Sequence, residues 1–194
     1  SKLRLQKLRK TYDVGNSPLR EALNRLSEGG MVTREENKGF RVAPISMEEL
    51  DELIRTRCWL EEIAMRESIR NGDDQWEENL VLAYHRLSRL PTAEEDPGHD
   101  AASDRARRHR EYHLALLSAC NSSILIEYCI QLQDKSLRYR NLGAMAGYRE
   151  QQEQEEHREI HQAVLDRDAD LAANLLKKHF RSFADIIRNS GRIS

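Results

Sequence analysis

Apolar and polar positions follow a helical period along most of the chain and a two-residue period in one short stretch. Residues 4–12 (RLQKLRKTY) place Leu5 and Leu8 on one helical face. DVGNS then interrupts the pattern with a glycine among polar residues, the composition of a tight turn. The helical pattern resumes in PLREALNRLSEGG, with Leu19, Ala22, Leu23 and Leu26 inward and Arg20, Asn24 and Arg25 outward. Ser17 before Pro18 predicts an N-cap with proline at the first helical position, and Gly29-Gly30 predicts the stop. MVTREENKGFRVAPI reads as two short strands with Asn37-Lys38-Gly39 at a hairpin tip.

After residue 45 the strand pattern does not return. Ser46 predicts the N-cap of a long amphipathic helix, MEELDELIRTRCWLEEIAMRESIRNG, with Glu48 and Glu49 in the first turn where the helix dipole favours anions. Leu50, Leu53, Ile54, Leu60, Ile63 and Ala64 supply its apolar stripe, and Asn71-Gly72 stops it. Further helices are predicted near 74–90, 102–119, 123–144, 149–166 and 168–190. Asp168 or Asp170 begins the last, and Gly191 lies past its end. The stretch PTAEEDPGHD reads as a loop. The fold class is mainly α. A winged helix-turn-helix over residues 1–45 precedes an all-α antiparallel bundle over 46–194.

Charge sharpens this division. Residues 1–45 carry ten Lys/Arg and five Asp/Glu, a net +5, whereas the remainder carries 21 and 28, a net −7. A basic winged helix points to DNA, because such a motif sends its second helix into the major groove; the alternative is a helical hairpin capped by a β-ribbon with no DNA role. Asn16, Ser17 and Arg20 stand at the start of that helix, where base edges and phosphates are met, and Lys38 and Arg41 lie on the wing. No apolar run approaches the roughly 18 residues that span a bilayer, and no signal-peptide pattern opens the chain. The three cysteines, Cys58, Cys120 and Cys129, fall in helical patterns without metal-type spacing. They read as reduced core thiols of a cytoplasmic protein.

Seven histidines offer the candidate chemistry. His85 reads as solvated on its helix and His99 as a loop residue. His109 and His113 are four apart on one helical face, as are His157 and His161, and His179 precedes Phe180 on the last helix. Neutral imidazole is the commonest side-chain ligand for divalent transition metals, and a bundle interior is where facing helices converge on one. The alternative is a set of half-buried histidines bonded to neighbouring carbonyls or glutamates.

VGNSPLREALNRLSEGGMV followed by NKGFRVAPIS resembles the recognition-helix and wing signature of GntR-type bacterial regulators. The usual form is close to V-S-R-T-P-V-R-E-A-L-x-x-L-x-x-x-G-L-V, then a glycine-containing wing. Gly15-Asn16 stand where the family has Ser-Arg, so a common DNA-contacting arginine is absent. The family's first helix normally precedes the point where this chain starts. The resemblance therefore implies a DNA-binding domain incomplete at its N-terminus.

The body resembles the all-helical FCD branch of that family, the fatty-acid-regulator-like one. Its D-x-x-[FY]-H, E-H-R-x-[IL] and final-helix histidine positions are met by HREYH, EEHREI and LLKKHF. The resemblance implies a metal held by His109, His113, His157 and His179, with His109 in the family's aspartate position. That exchange gives either an all-nitrogen site, with Zn²⁺ foremost and Ni²⁺ the alternative, or three ligands with His109 turned away. The family further implies a small carboxylate or dicarboxylate effector bridging the metal and nearby arginines. Arg57 in RTRCWLE matches the branch's R-x-x-L-E, Arg138 and Arg140 lie in LRYRN, and His161 is a pocket-lining candidate. For each arginine the alternative is a surface ion pair, for Arg57 with Glu61 or Glu62 nearby in sequence. The RYR run with His109 resembles the subgroup controlling glutarate-type, carbon-starvation catabolism, which makes a dicarboxylate a candidate.

Function follows as an expectation: a metabolite-responsive transcription regulator, a repressor, acting as a homodimer on palindromic operator DNA. The rival is a metal-dependent hydrolase on a helical bundle. It lacks support, because the only His-Asp doublet is His99-Asp100 in the Pro/Gly loop, and no Glu-x-x-His pair or H-E-x-x-H motif is present.

Overall fold

The computed structural model describes residues 2–35, 39–91, 99–145 and 150–193, with backbone alone at Glu28, 99–102, 141–145 and Glu150. The N-terminal part contains β1 (Lys2–Leu3), α1 (Leu5–Tyr12), α2 (Asn16–Glu28), β2 (Val32–Glu35) and β3 (Gly39–Val42). The bundle contains α3 (Met47–Asn71), α4 (Asp74–Ser88), α5 (His99–Leu117), α6 (Ser123–Met145), α7 (Glu150–Leu165) and α8 (Ala169–Asn189). The expected hairpin is present as antiparallel β2 and β3, in register from Val32↔Val42 to Glu35↔Gly39. Its tip at Asn37 and Lys38 lies outside the described residues. One strand was not foreseen. β1 adds to the free edge of β3, giving the order β1-β3-β2, and two residues are too few to show a period in sequence.

α2 begins two residues earlier than Ser17 would set it. Gly15, in an extended conformation at φ −71° and ψ 173°, holds the cap position without a side-chain hydrogen bond. Ser17 is thus already helical, and Pro18 sits inside the first turn, where its missing N–H breaks no helical bond. Leu19, Leu23, Val32 and Phe40 form a small core, with Leu3, Leu5, Leu8 and Met31 packed against it. Ala22 and Leu26, expected inward, are exposed. They fall on the side of α2 that neither α1 nor the sheet covers.

α3 runs through the bundle centre because one stripe of it is buried end to end: Leu50, Leu53, Ile54, Arg57, Cys58, Glu61, Ala64, Met65, Ser68 and Ile69. Ile63 lies outside that stripe and is 52% exposed, contrary to expectation. The mid-stripe places are taken by Arg57 and Glu61, which a hydrophobic pattern passes over. Ser46 caps α3 by accepting from Glu49 N at 3.0 Å, Asp73 caps α4 through Trp76 N at 2.9 Å, and Asp168 caps α8 through Leu171 N at 2.9 Å. Such caps each contribute about 1 kcal/mol. α5 starts at His99, earlier than the pattern indicated; the side chain of His99 and the 92–98 stretch lie outside what is described. His85 is exposed, as expected. Cys58, Cys120 and Cys129 are buried and unpaired. Among the described residues no helix is long and apolar enough to cross a membrane.

Candidate functional site

Four buried histidines from three helices converge in the bundle. α5 supplies His109 and His113, α7 His157 and α8 His179, each 8% exposed or less. One ligand atom from each lies within 4.8 Å of the others. The i,i+4 spacing turns both α5 rings to one side. Antiparallel packing of α7 and α8 on that side brings the other two. His113 Nε2 is 3.1 Å from His109 Nε2 and 3.2 Å from His157 Nε2. Arg140 Nη1 donates to His109 Nε2 at 2.7 Å. A guanidinium has no acceptor, so that His109 nitrogen carries a lone pair. His113 Nε2 has at most one proton to share between its two neighbours. Lone pairs therefore meet at the centre, an arrangement that a divalent cation relieves.

Burial, the largest influence, holds the imidazolium form of these rings off. It lowers His109 to about 3 and His113 and His157 well below the usual histidine range. Arg140 adds to the lowering at His109, and His109 to that at His113. Neutral imidazoles are the form that binds metal. His179 Nδ1 pairs with Glu156 Oε2 at 2.8 Å, and Gln152 Nε2 donates to Glu156 Oε1 at 3.2 Å. A carboxylate on Nδ1 fixes the ring and leaves Nε2 for the centre. The donor set fits a borderline-soft ion such as Zn²⁺.

Glu153 and Glu156 escaped the sequence reading. Glu153 Oε1 lies 3.1 Å from Arg140 Nη2, an ion pair not aligned as a hydrogen bond, and 3.2 Å from His109 Nε2. Burial alone pushes its carboxyl up, but Arg140 and His109 outweigh this and hold it well below the usual range. Glu153 precedes His157 by four residues on α7, so the i,i+4 rule applied to carboxylates would have found it.

The predicted effector residues divide. Arg140 is at the site. Arg57 is buried with its fork closed on Glu61, Nε to Oε1 at 2.6 Å and Nη2 to Oε2 at 3.3 Å. Its Nη1 donates to Ser136 Oγ at 3.3 Å, and the guanidinium lies 3.9 Å over the Phe180 ring. Arg138 turns away and donates to Pro44 O at 3.1 Å and to Glu49 Oε1 at 2.5 Å. His161 stacks on Tyr84 at 4.1 Å and stands outside the four-histidine cluster. Two cavities of about 20 Å³ share His109 and Arg140 as a common wall. One adjoins a wider cavity of about 250 Å³, lined by Tyr84, Gln151 and Arg158, through the shared residues Leu87, Gln154 and His157.

On the N-terminal part, Asn16, Ser17 and Arg20 are exposed at the start of α2. Arg41 is exposed on the wing and pairs with Glu35 at 3.2 Å. Lys38 lies outside the described residues.

A small winged helix with Asn16, Ser17 and Arg20 exposed at the start of its second helix, joined to a helical bundle with a buried polar centre, defines a DNA-binding regulator. The chain belongs to the GntR family of bacterial regulatory proteins, whose model matches residues 1–42, and it carries an FCD domain over residues 52–182. It is 35% identical over 192 residues to the "Uncharacterized HTH-type transcriptional regulator BphR" of Paraburkholderia xenovorans, covering 98% of this chain and 78% of that protein. It is 30% identical over 193 residues to the "HTH-type transcriptional repressor GlaR" of Escherichia coli, covering 97% and 87%. The solved structure of E. coli McbR/YncC superposes with a TM-score of 0.78 at 22% identity, covering 96% of this chain and 86% of that one. These families and relatives are transcription regulators, not enzymes.

Proposed function

We propose that this regulator is a homodimeric, cytoplasmic repressor whose hold on a palindromic operator is controlled by a small organic acid bound beside a metal. Zn²⁺ is the favoured ion and Ni²⁺ the alternative. The observation that carries the reading is the convergence of His109, His113, His157 and His179 nitrogens in a buried cluster. A bound ion would add a positive centre that attracts a carboxylate, and Arg140 is the cation placed to share it. Asn16, Ser17 and Arg20 would meet the operator in the major groove, and Lys38 and Arg41 its backbone. The repressor named GlaR among the relatives supports the sign of control. The bundle half begins at residue 46 and the DNA-reading half ends at 45.

One helix supports a link between the halves. On α6, Arg140 reaches the histidines, while Arg138 holds Pro44 O and the Tyr139 hydroxyl meets Ser46 O at 3.3 Å and Glu49 Oε2 at 2.5 Å. An acid that repositions Arg140 thereby acts on the residues joining the halves. It can shift operator affinity only by its differential affinity for the two arrangements. The test is metal content by elemental analysis. His113→Ala and His157→Ala are each expected to lose the ion that the parent retains at one per chain. Unchanged content in both variants contradicts the site.

A further inference from the structure

Behind the histidines, one of the two small cavities is bounded by Arg57, Arg110, His113, Gln133, Ser136 and Arg140. Gln133 is 7% exposed, and neither its Nε2 nor its Oε1 has a hydrogen-bond partner. Arg110 Nε and His113 Nδ1 are also buried without partners. Buried polar groups are seldom left so, since each loses its hydration. Gln133 belongs to neither the metal-binding set nor the ion pairs around it. A cavity this size holds about one water. An acid would have to enter by moving Arg140, part of the shared wall, from the side of the wider cavity.

Charge narrows what that acid is. Every guanidinium bounding this cavity already faces a carboxylate: Arg57 meets Glu61 at 2.6 Å, Arg110 meets Asp134 at 3.0 Å, and Arg140 meets Glu153 at 3.1 Å. No cation here is left to balance a second carboxylate on a ligand. The Gln133 carboxamide instead offers a donor and an acceptor side by side. Its complement is a hydroxyl or another carboxamide, each of which both donates and accepts, whereas an ionised carboxylate only accepts.

We infer that Gln133 selects an acid with a single carboxylate, held at the histidine site, and a hydroxyl or carboxamide at its far end, held by Gln133. This rests on the histidine site receiving an acid at all. It departs from the dicarboxylate that the sequence resemblance made a candidate.

The test is a thermal-shift titration of the full chain with added Zn²⁺. The probes are butanoate and pentanoate with their ω-hydroxy, ω-carboxamide and ω-carboxylate derivatives. A hydroxy or carboxamide acid is expected to raise the Tm more than the unsubstituted acid and the dicarboxylate of the same length. Gln133→Leu is expected to weaken that acid about tenfold while shifting the unsubstituted acid less than about twofold, the loss of one well-made hydrogen bond pair. Retention of Zn²⁺ by elemental analysis establishes that the variant is folded. Should it fail, Gln133→Glu, equal in size but charged, is expected to remove the preference in the same way. A larger shift from the dicarboxylate, or equal weakening of all acids by the variants, overturns the assignment to Gln133. No shift from any acid in Zn²⁺-loaded protein overturns the sensor reading itself, and with it this inference.

Discussion

Glu61 is wholly buried and closes on Arg57, itself 6% exposed, beneath the ring of Phe180. Both charges are out of water, so each depends on the other. Glu61→Ala strands a guanidinium in the bundle core, and the expected loss is about 3–5 kcal/mol, read from the urea midpoint of the variant. A loss under about 1 kcal/mol would mean that water reaches the pair. This couple was legible only as an alternative, because sequence spacing cannot say whether an i,i+4 pair faces solvent or core. The histidines were more legible: two i,i+4 pairs and a final-helix histidine already nominated three helices. His161 shows the limit of spacing, since its ring leaves the shared face to stack on Tyr84. Gln133 was missed because a polar residue in an apolar stripe looks like noise. Its signal was position, between Cys129 and Ser136 at helical spacing on the buried side of α6.

The corner between α3 and α4 is set by Gly72. A Cβ there would stand 2.0 Å from Cε3 of Trp76, and the indole cannot yield, because its Nε1 donates to Ala115 O at 2.9 Å and Arg167 lies 5.0 Å over its face. Gly72→Ala is therefore expected to cost about 1–3 kcal/mol and to shift tryptophan emission; an unaltered spectrum and midpoint would show that the corner is loose. The glycine was readable as a helix stop, but its closeness to Trp76 was not, since that depends on the angle between two helices. Helix existence followed the hydrophobic period closely throughout the bundle. Helix starts were harder. Gly15 displaced Ser17 from the cap of α2, and α5 began several residues early. β1 escaped because pairing with β3, rather than its own pattern, makes it a strand.

The whole molecule joins two cores of unequal size, a few residues under the winged helix and a long apolar column in the bundle, with α6 reaching from the histidines to Pro44 and Ser46. The contrast between a basic N-terminal part and an acidic remainder was visible in charge alone. On the DNA side, Arg20→Ala is expected to weaken operator binding by about 1–3 kcal/mol in a gel-shift assay, and an unaffected shift would place the groove contact elsewhere. The proposed metal site depends on imidazoles sharing one ion. X-ray absorption at the zinc edge of the loaded protein tests that most directly. Nitrogen neighbours at about 2.0–2.1 Å with the multiple scattering of several imidazoles are expected. A shell of oxygen neighbours without imidazole scattering would contradict it.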